Sequence, residues 1–275
     1  ALEGGERLGV KQRAVLEAER STESYAKRRV ADTGLHNIPL VALGTGLLWF
    51  GWYGFNAGSE LKVDTVTSLA FLNTDLAASF AAITWLVLAW MYERKPKFVG
   101  LLTGSIAGLA AVTPAAGYVS TPTAILIGIV ASVVCYYAIF LKNRMHWDDA
   151  LDVWGVHGVG GFLGILMLGV FANSTFNPAG TNGLLYGNSG FFFKQLIAVS
   201  FSSLWAFGFT YAMLAIINQF TPVKVTETNE ELGLDESIHG EHAYETLEME
   251  ELFNADHHLT IEHLEEEHEL VGSGK

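Results

Sequence analysis

The chain has 275 residues, of which 50% are hydrophobic and 16% charged, whereas a soluble domain carries about a quarter charged residues. The formal charge of −13 belongs to the C-terminal end, since residues 224–275 hold 16 Asp and Glu against two Lys. This balance gives no reason to expect a nucleic-acid partner. The single cysteine, Cys135, excludes an intrachain disulfide, and its apolar surroundings predict that it packs in the interior.

Residues 1–37 are predicted to be a cytoplasmic linker. The chain begins with Ala1 and lacks an early apolar stretch of signal-peptide length. We therefore interpret this end as a cut rather than a natural start. Within the linker, residues 11–30 are charged with weak apolar periodicity, which predicts a surface helix or a mobile segment.

Six apolar stretches are long enough to cross a bilayer, which takes roughly 20 helical residues. The predicted spans are 38–58, 66–92, 98–119, 122–141, 152–172 and 191–220. Backbone amides find no partner in hydrocarbon, so these spans must be helices. As core helices of a soluble protein, they would leave too little polar surface to cover them. We predict an all-α membrane protein whose transmembrane domain covers residues 38–220.

The basic residues predict the orientation. Twelve lie in the linker or in the loops after the second and fourth spans, namely Arg7, Lys11, Arg13, Arg20, Lys27, Arg28, Arg29, Arg94, Lys95, Lys97, Lys142 and Arg144. Only Lys62 and Lys194 lie toward the other side. Because Lys and Arg are retained in the cytoplasm, both ends of the chain are predicted to be cytoplasmic in a multi-pass protein of the plasma or inner membrane.

Two segments outside the spans differ in composition. Residues 173–190 are rich in Asn, Gly and Ser, which predicts an outer loop. Residues 221–275 form an acidic cytoplasmic tail that carries six histidines. The spacing of those histidines fits no compact transition-metal site, so we favour a solvated tail and predict no metal and no cofactor.

His157 lies inside the fifth span, in GVHGVGG (155–161). Glycines at this density weaken a soluble helix, but in a membrane they allow close helix approach. An ionisable residue within a span indicates function, and a neutral imidazole can donate at one nitrogen while it accepts at the other. The alternative is an imidazole that packs against a backbone carbonyl.

Other polar residues in or near the spans have mostly structural interpretations. Asp148 and Asp149 suit the solvated start of the fifth helix, where a carboxylate meets the positive end of the helix dipole. Asp152 is predicted to support the structure by capping exposed amides, with cation binding as the alternative. Thr113-Pro114 predicts a kink in the third span. Asp75 in the second span has no specific predicted role.

The first span ends in WFGWYGFNAGS (49–59). One interpretation of this composition is an aromatic belt at the membrane interface. Alternatively, Trp52 and Phe55 form a vestibule whose ring faces attract a small ammonium ion. In that case Ser59, at the outer mouth, would accept a hydrogen bond from the ion.

Together these stretches resemble the ammonium transporter family (Amt/Mep/Rh). The matching segments are HNIPLVALGTGLLWFGWYGFNAGS (36–59), LAFLNT (69–74), GSIAGLAAVTPAAGYV (104–119), DDALDVWGVHGVGG (148–161) and GLDESIHGEHAY (233–244). The resemblance implies an eleven-helix fold of two inverted repeats plus a final helix, assembled as homotrimers with one pore per subunit. This chain would supply the second repeat and the final helix.

The resemblance also implies roles for individual residues. His157 matches one member of a pore histidine pair, and Ser59 matches the hydroxyl of the outer recruitment site. Trp52, Phe55 and Val153 match pore-lining positions, Asp152 a structurally important aspartate, and Thr113 a threonine near the pore. The tail stretch resembles the region where bacterial and archaeal members meet PII-type signalling proteins.

Three features depart from the family pattern. The first pore histidine lies in the half that this chain lacks, Asp75 stands where a small or neutral residue is expected, and the tail continues past residue 244. The predicted function is ammonium or ammonia transport, not enzymatic catalysis. A non-transporting ammonium sensor on the same scaffold, signalling through the tail, is the alternative. A membrane metalloenzyme would need a second ligand near His157, which the spans do not offer.

Overall fold

The computed structural model describes residues 37–241, and within that range the regular structure is helical throughout. The main helices are α1 (Ile38–Asn56), α2 (Thr65–Glu93), α3 (Phe98–Val112), α4 (Thr121–Arg144), α5 (Val159–Phe171), α6 (Ser189–Ile217) and α7 (Glu227–Leu232). A π-helical segment, Trp154–Gly158, leads into α5. The linker interpretation for residues 11–30 and most of the tail lie outside the described residues.

Side-chain caps explain where the helices begin. Asn37 accepts a hydrogen bond from the amide of Leu40 at the start of α1. Asp64 forms a capping box with Thr67 at the start of α2, and Ser120 caps α4 just before a proline in its first turn. Each cap satisfies amides that the first helical turn leaves without a partner.

The core is formed by α2, α3 and α4, with α5 packed on α3 and α4. Small residues allow this packing. A Cβ on Gly108 of α3 or on Gly128 of α4 would lie only 2.5 or 2.2 Å from the carbonyl oxygen of Ala77. The backbone of α2 is therefore held between two glycines, which is the close helix approach that membrane proteins use in place of a large apolar core.

Helices α1 and α6 are different, because neither has a buried residue among the described part of the chain. Both are apolar, and α6 exposes large side chains along its length, among them Phe201, Trp205 and Phe207. Within the described range, residues through Trp205 form one compact unit and those from Ala206 a second. The sites discussed below all lie in the first unit.

Most predicted spans correspond to membrane-length helices. In the described range, five apolar helical stretches are long enough to cross a membrane: Ile38–Glu60, Thr65–Glu93, Thr121–Arg144, Trp154–Phe171 and Ser189–Ile217. The third predicted span differs, because α3 ends at Val112 and the chain continues to Val119 in turns. The expected kink at Thr113-Pro114 is thus the end of a helix. Cys135 is fully buried, which confirms its predicted packing.

Candidate functional site

The segment around His157 begins at an unusual backbone turn. Asp152 has a φ of 56°, in the left-handed region that Asp tolerates better than most residues. The two carboxylate oxygens of Asp149 accept hydrogen bonds from the amides of Val153 and Trp154, both at 2.9 Å. Asp149 therefore caps the π-helical segment, whereas we predicted that Asp152 would bond exposed amides.

Asp152 instead forms an ion pair with Lys142 at the end of α4. The Lys142 ammonium is 2.6 Å from Asp152 Oδ1 and also donates to the carbonyl oxygen of Asp149 at 2.6 Å. Lys142 is only 4% exposed. From the sequence alone Lys142 is predicted to be a loop charge that indicates orientation, because nothing in the local pattern links it to a residue ten positions away.

Glycines set the depth at which the His157 segment packs. A Cβ on Gly155 would lie 2.5 Å from the Ile139 side chain, and one on Gly160 would lie 3.2 Å from Cys135 Sγ. Gly161 faces open space. The predicted close approach therefore holds for particular glycines of GVHGVGG, and those glycines seat the segment against α4.

The His157 ring lies against the first helix. It stacks on the indole of Trp52 with ring centroids 6.5 Å apart and planes 23° from parallel. The Trp52 indole N–H donates to Thr113 Oγ1 at 2.8 Å, and the Thr113 hydroxyl donates to the carbonyl of Leu109 at 2.7 Å. Three helices thus meet at one contact between an aromatic ring and an imidazole.

The other predicted pore residues extend from this contact. Phe55 meets Trp52 edge-on at 5.8 Å, and Val153 lies one turn before His157 on the same helix. Phe55 and Val153 are 63% and 50% exposed, and His157 is exposed as well. Trp52, Phe55, Val153 and His157 are thus a mostly apolar set of partly or largely exposed side chains on two helical segments of this unit, and we call this set the Trp52–His157 face.

Ser59 lies beyond that face, in the short turn Gly58–Glu60 that follows α1. It is exposed, and its hydroxyl donates to the carbonyl of Phe55 at 2.8 Å. Because that hydrogen is used, the Ser59 oxygen is oriented to accept a hydrogen bond. The recruitment role of Ser59 stays a prediction, and an ammonium ion is a donor that such an oxygen can accept from.

The structure also gives Asp75 a partner that the sequence did not reveal. The Tyr53 hydroxyl donates to Asp75 Oδ1 at 2.5 Å. The two residues are 22 positions apart, and neither helical periodicity nor a short motif connects them. The residues in the described range contain no group of three or more His, Cys, Asp or Glu placed to hold a metal ion, while most of the tail histidines fall outside that range.

This fold and site define a polytopic helical membrane protein in which an imidazole within a span stacks on an indole. The sequence model of the Ammonium Transporter Family matches residues 14–244. The chain belongs to the ammonium transporter family, a family of transport proteins and not of enzymes.

Individual relatives agree with this assignment. The chain is 43% identical over 211 residues to an ammonium transporter of Bacillus subtilis, and 42% identical over 209 residues to the ammonium transporter Amt1 of Archaeoglobus fulgidus. Each alignment covers 76% of this chain and 52% or 53% of the relative. The chain thus spans about half the length of the curated relatives it matches.

Solved structures show the same partial coverage. The crystal structure of Candida albicans Mep2 superposes with a TM-score of 0.64 at 36% identity, covering 70% of this chain and 44% of that protein. A structure titled Sensor Amt Protein gives a TM-score of 0.65 at 32% identity, covering 74% of this chain and 49% of that one.

Proposed function

We propose that the protein conducts ammonium nitrogen across a membrane along the Trp52–His157 face, with His157 as a proton carrier. The observation that carries this proposal is the stack between the His157 imidazole and the Trp52 indole, which is itself anchored on Thr113. That contact places a group able to exchange protons against a group that attracts cations.

The chemistry proceeds in two stages. An ammonium ion is recruited at Ser59 and Phe55, where a hydroxyl oxygen and aromatic rings offset part of the cost of losing water. Deeper in the membrane a bare cation is expensive, so NH4+ gives up a proton and NH3 crosses the apolar stretch. The proton passes through an imidazole, which accepts at one nitrogen and donates at the other.

Several features of the working protein belong to the same proposal. By the family resemblance, the second histidine of the relay lies in the family's other repeat, and the assembly is a homotrimer. Asp152 supports the start of the His157 helix through Lys142. Both ends of this chain face the cytoplasm, and the stretch at residues 233–244 meets a PII-type regulatory protein there.

The test is ammonium flux into liposomes that contain the full-length protein, including any sequence that precedes residue 1. We expect His157→Asn to lower the flux by about 100-fold, which is the size of a lost acid–base relay. His146→Asn is the matched control, since His146 is exposed, precedes the site and has a φ of 56° that Asn tolerates. Equal flux in the two variants would refute the relay.

A sensor remains the second candidate, because one of the similar structures is titled as a sensor. A sensor would bind ammonium and rearrange its tail without net flux. The same liposomes, prepared with and without residues 245–275, separate the two functions. Flux that persists without those residues supports a transporter, whereas ligand binding without flux supports a sensor.

A further inference from the structure

Three consecutive residues of α2, Asn73, Thr74 and Asp75, form hydrogen bonds to two neighbouring parts of the chain. Asn73 Nδ2 donates to the carbonyl oxygens of Ala116 and Val119, at 2.8 and 2.9 Å. Thr74 and Asp75 both bond to α1. Successive helical residues point about 100° apart, so one short stretch reaches two neighbours.

The two bonds to α1 involve its last turns. Thr74 Oγ1 accepts from Asn56 Nδ2 at 2.9 Å, and Asp75 Oδ1 accepts from the Tyr53 hydroxyl at 2.5 Å. The Tyr53 ring also stacks on Phe71, with centroids 4.1 Å apart and planes 18° from parallel. Phe71 and Asp75 are four residues apart on one face of α2, so that face holds both the ring and the hydroxyl of Tyr53.

Trp52, the residue before Tyr53 in α1, contacts a third part of the chain. Trp52 donates to Thr113 at the end of α3, and Thr113 lies three residues before Ala116, which Asn73 binds. Within the described residues α1 has no fully buried residue, and its half-buried side chains Trp52 and Tyr53 make polar contacts to α3 and α2. These polar contacts therefore contribute to fixing the rotation of α1 about its own axis.

We propose that the Tyr53–Asp75 hydrogen bond is a positioning element of the ammonium pathway. It sets the rotation of α1 that stacks Trp52 on His157 and orients Phe55 beside Trp52. This inference rests on the proposed function. It also explains an acidic side chain within a predicted span, because a carboxylate makes a stronger hydrogen bond than a neutral acceptor and is costly in a membrane without a donor.

The experiment measures KM and maximal rate for methylammonium uptake by the full-length protein in liposomes. Tyr53→Phe removes the donor and Asp75→Leu the acceptor, whereas Asp75→Asn keeps a carbonyl acceptor. We expect each of the first two to raise KM by about three- to tenfold, the effect of one lost hydrogen bond, with a smaller change in maximal rate. Asp75→Asn should stay within about twofold of wild type, since a neutral acceptor gives up only part of one hydrogen bond's contribution.

The double variant tests the pairing. If the two residues act through one bond, Tyr53→Phe with Asp75→Leu should raise KM no further than the worse single variant. Tyr92→Phe is the matched control, because it removes a tyrosine–tyrosine hydrogen bond at the other end of α2. Its KM should not change.

A second measurement does not depend on flux. We expect the ring current of Trp52 to shift the NMR signals of the stacked His157 imidazole, and these signals are assigned by their loss in His157→Asn. We expect Tyr53→Phe and Asp75→Leu to move those signals and Tyr92→Phe to leave them in place. If the wild type moves no ammonium, the proposed function fails, and this measurement alone decides the positioning role.

Two results would overturn the inference. One is a KM and a His157 signal that stay at wild-type values in both Tyr53→Phe and Asp75→Leu. The other is an Asp75→Asn variant as impaired as Asp75→Leu, because the negative charge itself would then be required and Asp75 would act on the cation directly.

Discussion

Replacing Asp152 with Asn removes the charge that neutralises Lys142 while it keeps a residue that tolerates the left-handed backbone. Removing one partner of a buried ion pair costs about 3–5 kcal/mol. Here the side chain of Asp152 is 32% exposed, and Lys142 keeps its bond to the Asp149 carbonyl. We therefore expect a loss just below that range, about 2–3 kcal/mol, typical of a hydrogen bond to a charged group.

Replacing Lys142 and replacing Asp152 should lower the stability by different amounts. Lys142→Met leaves behind a partly exposed carboxylate that water can reach, so it should cost less than Asp152→Asn, which leaves a buried ammonium. The double variant removes both charges and should recover much of the loss. Lys97→Met is the control, since it breaks an exposed ion pair with Glu93 and should cost less than about 1 kcal/mol.

Denaturant titration of the full-length protein in detergent micelles gives the free energy of unfolding for all four variants. A loss in Asp152→Asn no larger than that in Lys97→Met would refute the reasoning. So would a double variant whose loss equals the sum of the two single losses, since the residues would then not act as a pair.

Three further predictions concern packing, the Trp52 anchor and a cap. Gly164→Ala should lower stability by about 1–3 kcal/mol, because the added Cβ would lie 2.2 Å from a backbone oxygen of α3. A Cβ on Gly161 meets no atom within 4 Å, so Gly161→Ala should be tolerated. Thermal unfolding of both variants tests this difference. Thr113→Val should lower ammonium flux more than Thr103→Val, because Thr113 also bonds another helix; equal flux would count against the anchor. The Thr67 amide holds the pKa of Asp64 below its usual value in the folded protein. The stabilising effect of the Asp64 carboxylate is therefore complete above the pKa of Asp64 in the unfolded chain and is lost as the pH falls through its pKa in the folded protein. The difference in Tm between wild type and Asp64→Asn should change only in that acidic range.

Much of the fold could be predicted because hydrocarbon leaves few choices. A long apolar stretch in lipid must be a helix, so the stretches containing α1 and α6 could be located from composition alone. The third predicted span is too long, since apolarity continues to Val119 while the helix ends at Val112. Hydropathy indicates whether a segment favours lipid over water, and it does not show where the helical hydrogen bonds end and turns begin.

The candidate site likewise has features that the sequence suggests and features that it does not. His157, Trp52 and Ser59 are candidates that the sequence alone suggests, because an imidazole in a span and a run of aromatic residues are unusual compositions. The partners of Asp152 and Asp75 were not found. Lys142 and Tyr53 are ordinary residues whose significance depends on a contact between separate helices.

The sequence by itself determined the number and place of the apolar stretches, the position of the imidazole within one of them and the family of the protein. Those properties depend on the free energy of transferring residues to lipid and on local motifs, both of which can be read along the chain. Only the tertiary structure decided that Trp52 stacks on His157, and that Lys142 neutralises Asp152. Those contacts depend on how helices rotate and how closely their glycines let them approach, which no local pattern encodes.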